Sequence, residues 1–455
     1  MNLSDLEAKK IAIWGLGEEG MASYRFLRAH FPEKMLILIN RDDPGNWPDG
    51  NWPDGNWPDD NHTHFILEDD LKEQHITMDV VIKSPGISLY HPLVTYFKER
   101  NVTVTSGTNI WFAQPRRGKV IAITGSNGKS TTCALLNHIL NEHISNGSER
   151  TALLGGNIGR PLLSLPQDAE FYIVELSSYQ TADLCYAPDI AVLLNLFPEH
   201  IQWHQTHTQY FADKGNLLRT GADTIILNHT DPLTKKEIAP IQKARWFNDP
   251  AAIHTDHDHI LSGHKILGAL KDITLPGKHN HENICAALTV CDILHLDLTE
   301  CFKLAATYQG LPHRLENLGC ITARTYINDS ISTTPEATIA ALKCFEGQAI
   351  TLLIGGQDRQ QDFTSFAVYI KNHPEISIIA AYETRPKICL ALKAHGVSSY
   401  VTQASDLKDA VSRAQNITPK NGIILLSPAA PSYDGFTNFE QRGEAFKLFS
   451  RNSRT

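Results

Sequence analysis

The sequence lacks several features that would place the chain in a membrane or on nucleic acid. No uninterrupted apolar run reaches about 18 residues, the length that a membrane-spanning helix needs. Residues 1–14 carry charges where a signal peptide has an apolar core. The 41 Lys and Arg are outnumbered by 50 Asp and Glu, giving a net charge of −9, which argues against a general nucleic-acid-binding protein. We therefore expect a cytoplasmic protein without membrane insertion or nucleic-acid partners.

Cysteine is present, but not in the spacing of a metal or redox site. The 8 cysteines are scattered and include no Cys-x-x-Cys pair. This pattern predicts reduced packing residues rather than a disulfide frame or a zinc site. Four histidines cluster without a defined ligand spacing, and we interpret them as surface residues. They are His254, His257, His259 and His264.

The length and the apolar pattern predict the fold class. A chain of 455 residues has room for about three domains. Apolar runs of strand length are continuous rather than alternating, which is typical of parallel strands covered on both faces. We predict an α/β protein with mainly parallel sheets and domains at 1–112, 113–312 and 313–455. The strands are predicted at 10–14, 35–39, 80–83, 120–124, 171–176, 190–194, 224–227, 350–354, 376–381 and 422–426.

The most informative motif is TGSNGKST at 124–131, which follows a predicted buried strand and opens a helix. Backbone amides of such a turn and the positive helix end attract phosphates, the lysine adds a charge, and a hydroxyl can hold magnesium. Isoleucine at 123 stands where the usual P-loop has glycine, so this is a shorter form of the motif. The loop predicts ATP binding through Gly125, Ser126, Asn127, Gly128, Lys129, Ser130 and Thr131.

A second glycine-rich turn follows the first predicted strand. Gly15, Gly17 and Gly20 have the Gly-x-Gly-x-x-Gly spacing that suits a diphosphate. Asn40 replaces the acidic residue expected after the second strand of an NAD site, which argues against NAD. KSPGIS at 83–88 is another backbone-rich turn after a strand. The predicted substrate contacts in this part of the chain are Gly17, Glu18, Glu19, Ser84, Pro85 and Gly86.

Three further residues are candidates for chemistry. Glu175 and His200 each follow a predicted buried strand. Both should therefore emerge at the carboxyl edge, where open α/β sheets bind ligands. Lys214 follows them along the chain.

Eight motifs in order identify a resemblance to a known family. They are TGSNGKST, GGNIG at 155–159, ELSSYQ at 175–180, NLFPEH at 195–200, HNHEN at 279–283, GLPHRLE at 310–316, NDS at 328–330 and SPAAPS at 427–432. With these the chain resembles the Mur ligases, and within them the glutamate-adding MurD type, as far as NFEQRG at 438–443. The resemblance implies a Rossmann-like N-terminal domain for a UDP-sugar, a central P-loop ATPase domain and a Rossmann-like C-terminal domain for an amino acid.

The resemblance also implies a reaction. ATP would phosphorylate the carboxylate of UDP-N-acetylmuramoyl-L-alanine, and the amine of glutamate would attack the acyl phosphate. Lys129, His200 and Lys214 would be the catalytic residues. Ser130 and Glu175 would hold one Mg²⁺ ion. His200 and Lys214, the latter as an anionic carbamate, would hold a second.

The remaining implied contacts are divided between the nucleotide and the substrates. Adenine would lie against Asn280 and Asn283, and the nucleotide would also meet Arg314 and Asp329. The other implied substrate contacts are Asn157, Thr333, Arg359, Ser432 and Phe439.

The departures from the family pattern concern glutamate. D-glutamate ligases of the family usually carry Asp-Ser-Lys-Ala-Thr, whereas this chain has Ile331 in place of the lysine. Arg359 replaces a usual lysine, and AAPS at 429–432 replaces Ala-Cys-Ala-Ser. Trp203 and His204 fit a variant subfamily that adds L-glutamate and leaves inversion to an epimerase, although Gln202 stands where aspartate is common. We predict L-glutamate as substrate, coupling to an epimerase, and a monomer.

Other interpretations remain open. The phosphate loop alone would permit folate polyglutamylation. Within the family the ordinary D-glutamate reaction is the alternative, and a non-catalytic nucleotide-sugar sensor is a remote one. The lysines, Glu175 and His200 argue against a sensor, which does not need a second metal site. Separately, Gly-Asn-Trp-Pro-Asp occurs three times in tandem over 45–59. We interpret this repeat as a turn-rich surface loop, with an aromatic binding loop as the alternative.

Overall fold

The computed structural model describes residues 1–42, 61–74, 76–144, 151–199, 201–238, 241, 244–397 and 401–451. The tandem repeat at 45–59 lies outside these residues. The chain forms two compact units, Met1–Asp272 with His281–Ala305 and Ile273–Asn280 with Ala306–Thr455. In the described part of the chain, no helix combines the length and apolar character needed to cross a membrane.

The first unit begins with a five-stranded parallel sheet of order β3-β2-β1-β4-β5. Its strands are β1 (Ile11–Trp14), β2 (Leu36–Asn40), β3 (Thr63–Leu67), β4 (Val80–Lys83) and β5 (Thr103–Ser106). Its helices are α1 (Leu3–Glu7), α2 (Glu18–His30), α3 (Pro92–Glu99) and α4 (Gly107–Ala113). The glycine-rich turn lies between β1 and α2, and KSPGIS begins at the end of β4.

A nine-stranded sheet follows, of order β14-β13-β12-β11-β10-β9-β6-β8-β7. Its strands are β6 (Lys119–Thr124), β7 (Ala152–Gly156), β8 (Phe171–Glu175), β9 (Ile190–Leu193), β10 (Thr224–Asn228), β11 (Arg245–Phe247), β12 (Ile253–Asp256), β13 (His259–Ser262) and β14 (Lys265–Ala269). Strands β6 to β12 pair with one another in parallel. Strand β13 pairs antiparallel with both β12 and β14.

The helices that follow β6 connect these strands and lead out of the sheet. They are α5 (Lys129–Ile144), α6 (Ser178–Thr181), α7 (Ile201–His204), α8 (His207–Arg219), α9 (Pro232–Glu237), α10 (Lys278–Ile293) and α11 (Leu298–Thr307). Thr206 caps α8 by accepting a hydrogen bond from the Gln209 amide. This cap fixes where α8 begins, and α8 carries Lys214.

The second unit has a six-stranded sheet of order β15-β16-β20-β17-β18-β19, parallel except for β15. Its strands are β15 (Glu316–Ile321), β16 (Arg324–Asn328), β17 (Ile350–Ile354), β18 (Ile376–Ala380), β19 (Val401–Gln403) and β20 (Ile423–Leu426). Its helices are α12 (Pro335–Lys343), α13 (Thr364–Lys371), α14 (Arg385–Ala394), α15 (Leu407–Ile417) and α16 (Phe439–Arg451).

The α/β prediction is confirmed, and each predicted strand is present within a residue or so of its expected ends. Ten strands of the described chain were not predicted, namely β3, β5, β7, β16, β19 and the run β11 to β15. Strands β12 to β15 illustrate the reason. They are polar and partly exposed, so they lack the continuous apolar run that marks a strand buried on both faces. The domain boundaries at 112 and 312 stay predictions.

The cysteine prediction is only partly right. All 8 cysteines are free, and Cys133, Cys285, Cys291 and Cys301 are buried as expected of packing residues. Cys185 and Cys320 are exposed instead. A sequence with scattered cysteines does not distinguish the two cases, because burial depends on tertiary packing, and Cys185 lies in a loop and Cys320 in the edge strand β15.

One apolar core serves both sheets of the first unit. Trp111 of α4 is fully buried and meets Tyr172 of β8 edge to face, with ring centroids 5.5 Å apart. Val120 and Ala122 of β6 belong to the same buried cluster as Ile11 and Ile13 of β1. The continuous core fixes the phosphate-loop strand against the N-terminal sheet.

The burial of β6 generates a stability prediction. Replacing Ile121 by Ala should lower the free energy of unfolding by about 2–5 kcal/mol, because it leaves a cavity where a side chain is fully buried. The matched change Ile266→Ala, at a side chain 56% exposed in β14, should cost about 0.5 kcal/mol. Urea unfolding followed by tryptophan fluorescence measures both. Equal losses in the two variants would contradict the burial argument.

Candidate active site

The phosphate loop lies between β6 and α5, as the motif predicts. Gly128 has φ of 84°, which favours glycine, and a Cβ there would collide with the side chain of Asn283. The Asn127 amide donates to Asn195 Oδ1 at 2.8 Å, and the Ser126 amide donates to the Asn195 carbonyl at 3.0 Å. The loop is therefore anchored to the end of β9 and lies against α10, where Asn283 was predicted to meet adenine.

Two lysines converge on one carbonyl of this loop. Lys129 Nζ donates to the carbonyls of Gly125 at 2.7 Å and Ser126 at 2.8 Å. Lys214 Nζ, from α8, donates to the same Gly125 carbonyl at 2.9 Å. Burial lowers the pKa of Lys214 well below its usual value, and the positive charge of Lys129 lowers it further. The second amine is therefore easily deprotonated, which makes it a nucleophile.

Glu175 ends β8 beside the loop and has one unused oxygen. Its side chain is fully buried, and Oε1 accepts a hydrogen bond from Asn157 Nδ2 at 2.7 Å. Oε2 has no hydrogen-bond partner among the described residues. A buried carboxylate oxygen without a donor is costly unless a cation completes it. The residues here fit a divalent ion, and Ser130 lies in the first turn of the adjacent helix α5.

A buried hydrogen-bond network that we had not predicted surrounds the start of α8. His204 Nδ1 lies 2.6 Å from Asp213 Oδ2, and His204 Nε2 lies 2.9 Å from Ser178 Oγ. Tyr90 and Gln209 donate to the same carboxylate, each at 2.8 Å. Because a carboxylate only accepts, Nδ1 carries the proton in a neutral His204, and Ser178 then donates to Nε2. Asp213 precedes Lys214, so the network fixes the helix that carries that lysine.

The residues predicted to bind substrate in the N-terminal part of the chain line one cavity of about 470 Å³. Its walls include Ser177, Tyr179 and Gln180 of the ELSSYQ motif. All seven residues predicted to bind substrate in this part of the chain line it, namely Gly17, Glu18, Glu19, Ser84, Pro85, Gly86 and Asn157. Gly20 has no room for a side chain, because a Cβ would collide with the Gly15 carbonyl. The cavity therefore joins the glycine-rich turn to Asn157, which contacts Glu175.

An adjoining cavity of about 750 Å³ was not predicted from the sequence. It shares Gly15, Asn40, Gly86, Ile87 and Tyr179 with the first and is rich in aromatic side chains. Tyr179 and Trp203 stack with ring centroids 4.7 Å apart. The sequence signals were that Trp203 follows NLFPEH and fits the variant subfamily. Nothing in the pattern indicated that Trp203 lines the same cavity as Trp14 of β1.

Glu19 has an unusual charge state for a residue beside a predicted diphosphate. Burial, and then the charge of Glu18, raise its pKa to about 7. Its Oε1 accepts a hydrogen bond from Gln180 Nε2 at 3.3 Å. A protonated carboxyl can donate a hydrogen bond to a phosphate oxygen, whereas an ionised one would repel it.

In the second unit, the loops of the predicted glutamate contacts meet at the carboxyl edge of the sheet. The buried Arg442 of α16 donates to Ser330 Oγ at 3.0 Å and to the carbonyls of Ser330 at 2.8 Å and Ala430 at 3.1 Å. Ser330 in turn donates to the carbonyl of Phe439 at 2.8 Å. These bonds hold together the loops and the helix that carry Thr333, Ser432 and Phe439. Arg442 was quoted as part of a motif but given no role.

The predicted nucleotide contacts of this unit have internal partners. Asp329 is buried and accepts hydrogen bonds from Ser332 Oγ at 2.5 Å and Ser427 Oγ at 2.8 Å. Burial raises the pKa of Asp329 to about 6. Asn280 Nδ2 donates to the Pro276 carbonyl at 2.7 Å. Arg314 Nε is buried without a hydrogen-bond partner in the described part of the chain, so this guanidinium can still bind a ligand.

Two sequence interpretations concerned metals. His200 lies outside the described residues, so its place beside Lys214 stays a prediction. The four clustered histidines lie on β12, β13 and their turns. Over the described ranges, no three His, Cys, Asp or Glu side chains form a group suited to a metal.

Comparison with known proteins shows the family of the chain. Residues 123–291 match the family model of the Mur ligase middle domain. A UDP-N-acetylmuramoyl-L-alanine--L-glutamate ligase of Xanthomonas axonopodis pv. citri is 38% identical over 98% of this chain and 96% of that protein. A ligase of the same name from Salinispora tropica is 36% identical over 98% of both chains.

Solved structures show the same fold at low identity. UDP-N-acetylmuramate-alanine ligase MurC from Thermotoga maritima gives a TM-score of 0.57 at 16% identity, covering 98% of this chain and 100% of that one. MurF from Acinetobacter baumannii gives 0.60 at 17% identity, covering 92% of each chain. The chain belongs to the Mur ligase family, an ATP-dependent group of amide ligases in peptidoglycan synthesis. Within the family it is of the MurD type.

The raised pKa of Glu19 predicts a pH effect on stability. Between its ordinary pKa of 4.5 and about 7, the folded state holds a proton that the unfolded state has lost. Stability from this residue therefore falls as pH rises through that window, by about 2–3 kcal/mol. Glu19→Gln should lose correspondingly less stability than the wild type between pH 5 and pH 8 in urea unfolding.

The neighbouring exposed Glu18 supplies the control for this experiment. Glu18→Gln removes only the smaller electrostatic cause and should lose nearly as much stability between the two pH values as the wild type. Identical pH dependence in the wild type and Glu19→Gln would contradict the assignment.

Proposed function

We propose that this enzyme joins L-glutamate to UDP-N-acetylmuramoyl-L-alanine and hydrolyses one ATP to ADP and phosphate for each amide bond. The observation that carries the proposal is the combined site. The phosphate loop, Glu175 and Asn157 continue into the cavity that receives the predicted sugar-nucleotide contacts. Relatives that bear the name of this reaction match along nearly the whole chain, which weighs against folate polyglutamylation and against a sensor.

The phosphate loop binds ATP. The loop amides and the N-terminal end of α5 face the phosphates, and Lys129 exchanges its loop carbonyls for phosphate oxygens. The substrate carboxylate attacks the γ-phosphorus, ADP leaves, and an acyl phosphate forms. Lys129 stabilises the charge that develops on the transferring group.

Two Mg²⁺ ions are part of the proposal. Glu175 Oε2 and Ser130 would hold one, and Asn157 orients Glu175 through its other oxygen. His200 and Lys214 would hold the second. When bound, the ions neutralise phosphate charge and polarise the transferring group.

Lys214 is proposed to act as a carbamate. Its buried amine, with a lowered pKa, attacks the carbon of CO₂, forms an N–C bond and releases one proton. The product is an anionic oxygen ligand of the kind that Mg²⁺ prefers. The network around Asp213 holds α8 so that this group faces the phosphate loop.

Glutamate is proposed to bind at the carboxyl edge of the second unit's sheet. Arg359, Thr333 and Ser432 would hold its carboxylates, and Phe439 would pack against its carbon chain. The amine then attacks the acyl carbon and phosphate leaves. We propose that a separate epimerase inverts the product and that the enzyme is a monomer, which light scattering can test.

Stereochemistry is the central test. The enantiomers differ in which carboxylate reaches which cation once the amine points at the acyl phosphate. Isoleucine at 331 and a bidentate-capable guanidinium at 359 move the cationic anchor relative to the D-glutamate pattern. We predict that kcat/KM favours L-glutamate by at least about tenfold, or about 1.4 kcal/mol. Phosphate release with each enantiomer measures it, and a preference for D-glutamate would restore the ordinary MurD assignment.

A second prediction concerns Lys129. Lys129→Ala should lower kcat by at least about a hundredfold, since a preorganised charge at the phosphoryl group contributes about 3 kcal/mol. The exposed Lys119→Ala, at the start of β6, is the control and should keep full activity. Near-normal turnover of Lys129→Ala would refute the ATP-site assignment.

A third prediction concerns the carbamate. Lys214→Ala should be nearly inactive and should recover partly with added short-chain carboxylic acids, which supply the missing oxygen ligand. Lys236→Ala, at a side chain 76% exposed, should be active and indifferent to the acids. An active wild-type enzyme that mass spectrometry and ¹³C-bicarbonate NMR show to carry only an unmodified Lys214 would contradict the proposal.

A further inference from the structure

The loops after β17 and β20 carry a cation–aromatic pair that neither the motifs nor the relatives assign. The Arg359 guanidinium carbon lies 5.2 Å from the centroid of the Tyr433 ring. A guanidinium on an aromatic face is attracted by the ring quadrupole. Tyr433 is 57% exposed and immediately follows the buried Ser432. An exposed ring contributes little to the core, so its position needs another explanation.

The backbone on both sides of Tyr433 is held in place. The Ser432 carbonyl accepts hydrogen bonds from the amides of Gly435 at 3.1 Å and Phe436 at 2.9 Å. Asp434 Oδ2 accepts from the Glu383 amide at 3.1 Å. The ring therefore projects from a fixed turn although it faces solvent.

The Arg359 loop is tied to the same turn. The Gln357 amide donates to the Pro431 carbonyl at 2.9 Å, and the Gly355 amide donates to the Pro428 carbonyl at 2.9 Å. Arg359 Nε donates to Gln357 Oε1 at 3.2 Å. Gln357 thus contacts the guanidinium at Nε while the guanidinium carbon lies over the Tyr433 ring.

The two terminal nitrogens of Arg359 remain available. In the described part of the chain, no Asp or Glu forms an ion pair with this guanidinium. The neighbouring Asp358 is instead paired with Lys387 at 3.0 Å. A guanidinium that is bonded at Nε and lies over an aromatic ring keeps its terminal nitrogens for a carboxylate, which can accept two parallel hydrogen bonds from them.

We propose that Tyr433 is a positioning residue that orients Arg359 toward a carboxylate of the incoming glutamate and thereby sets affinity and enantiomer preference. This inference rests on the proposed function. In this proposal Tyr433 acts through Arg359, so we expect its effect to be confined to the amino acid.

The test uses the full-length enzyme and matched variants at position 433. Tyr433→Leu removes the aromatic face, and Tyr433→Phe keeps it without the hydroxyl. We expect Tyr433→Leu to raise KM for L-glutamate about fivefold and to lower the ratio of kcat/KM for L- over D-glutamate. KM for ATP, KM for the UDP-sugar and the thermal midpoint should not change. Tyr433→Phe should stay within about twofold of the wild type.

A double-variant cycle tests whether the effect passes through the guanidinium. In an Arg359→Met background, Tyr433→Leu should change KM for L-glutamate by less than about twofold. An equal fivefold effect in both backgrounds would overturn the inference. So would an unchanged KM in Tyr433→Leu, or a loss that spreads to the thermal midpoint and to KM for ATP.

Different results would overturn the proposed function and the role of Tyr433. A wild-type enzyme with no glutamate-dependent phosphate release overturns the proposed function and this inference with it. A wild-type enzyme that uses L-glutamate while Tyr433→Leu matches it overturns only the inference.

Discussion

The parallel register of β6 with its two neighbours is the constraint on which the site depends. Ile123 lies opposite Glu175 of β8, and Thr124 lies opposite Leu193 of β9. The three strands therefore end at one edge, where the phosphate loop, the carboxylate and the Asn195 anchor meet. A shift of one residue in the pairing of β8 with β6 would turn Glu175 to the other face of the sheet. The buried apolar side chains of β6 make such a shift costly.

Helix α8 adds a second lysine to the phosphate loop at that edge. It places the Lys214 amine on the Gly125 carbonyl. Its Asp213 carboxylate accepts hydrogen bonds from Tyr90 and His204 of two other segments and from Gln209 of α8 itself. A buried lysine next to a second lysine costs stability, because desolvation and like charge both oppose its ammonium. The same cost makes the amine easier to deprotonate. The surrounding hydrogen bonds hold α8 in place, although the site disfavours the charged form of the lysine that this helix carries.

The second unit also has a buried cationic side chain at the carboxyl edge of its sheet. Among the described residues, Arg442 forms no ion pair with a carboxylate. Its guanidinium donates hydrogen bonds to a hydroxyl and to loop carbonyls instead. Burial lowers its pKa to about 10, so it stays charged at neutral pH. Its fixed donors hold the loops of Ser330 and Ala430 together. The residues that differ from the D-glutamate pattern lie on or beside these loops, so they act on a rigid frame.

The sequence by itself determined the α/β class, the strands buried on both faces and the phosphate loop, because these are local patterns of apolar runs and glycines. It also determined the family, because the motifs keep their order along the chain. Only the tertiary structure decided that Lys214 and Lys129 share a carbonyl, that His204 links Ser178 to Asp213, and that Tyr433 covers Arg359. These contacts join residues from different segments, and side-chain meetings of that kind follow from strand order, register and helix docking. No local pattern contains that information.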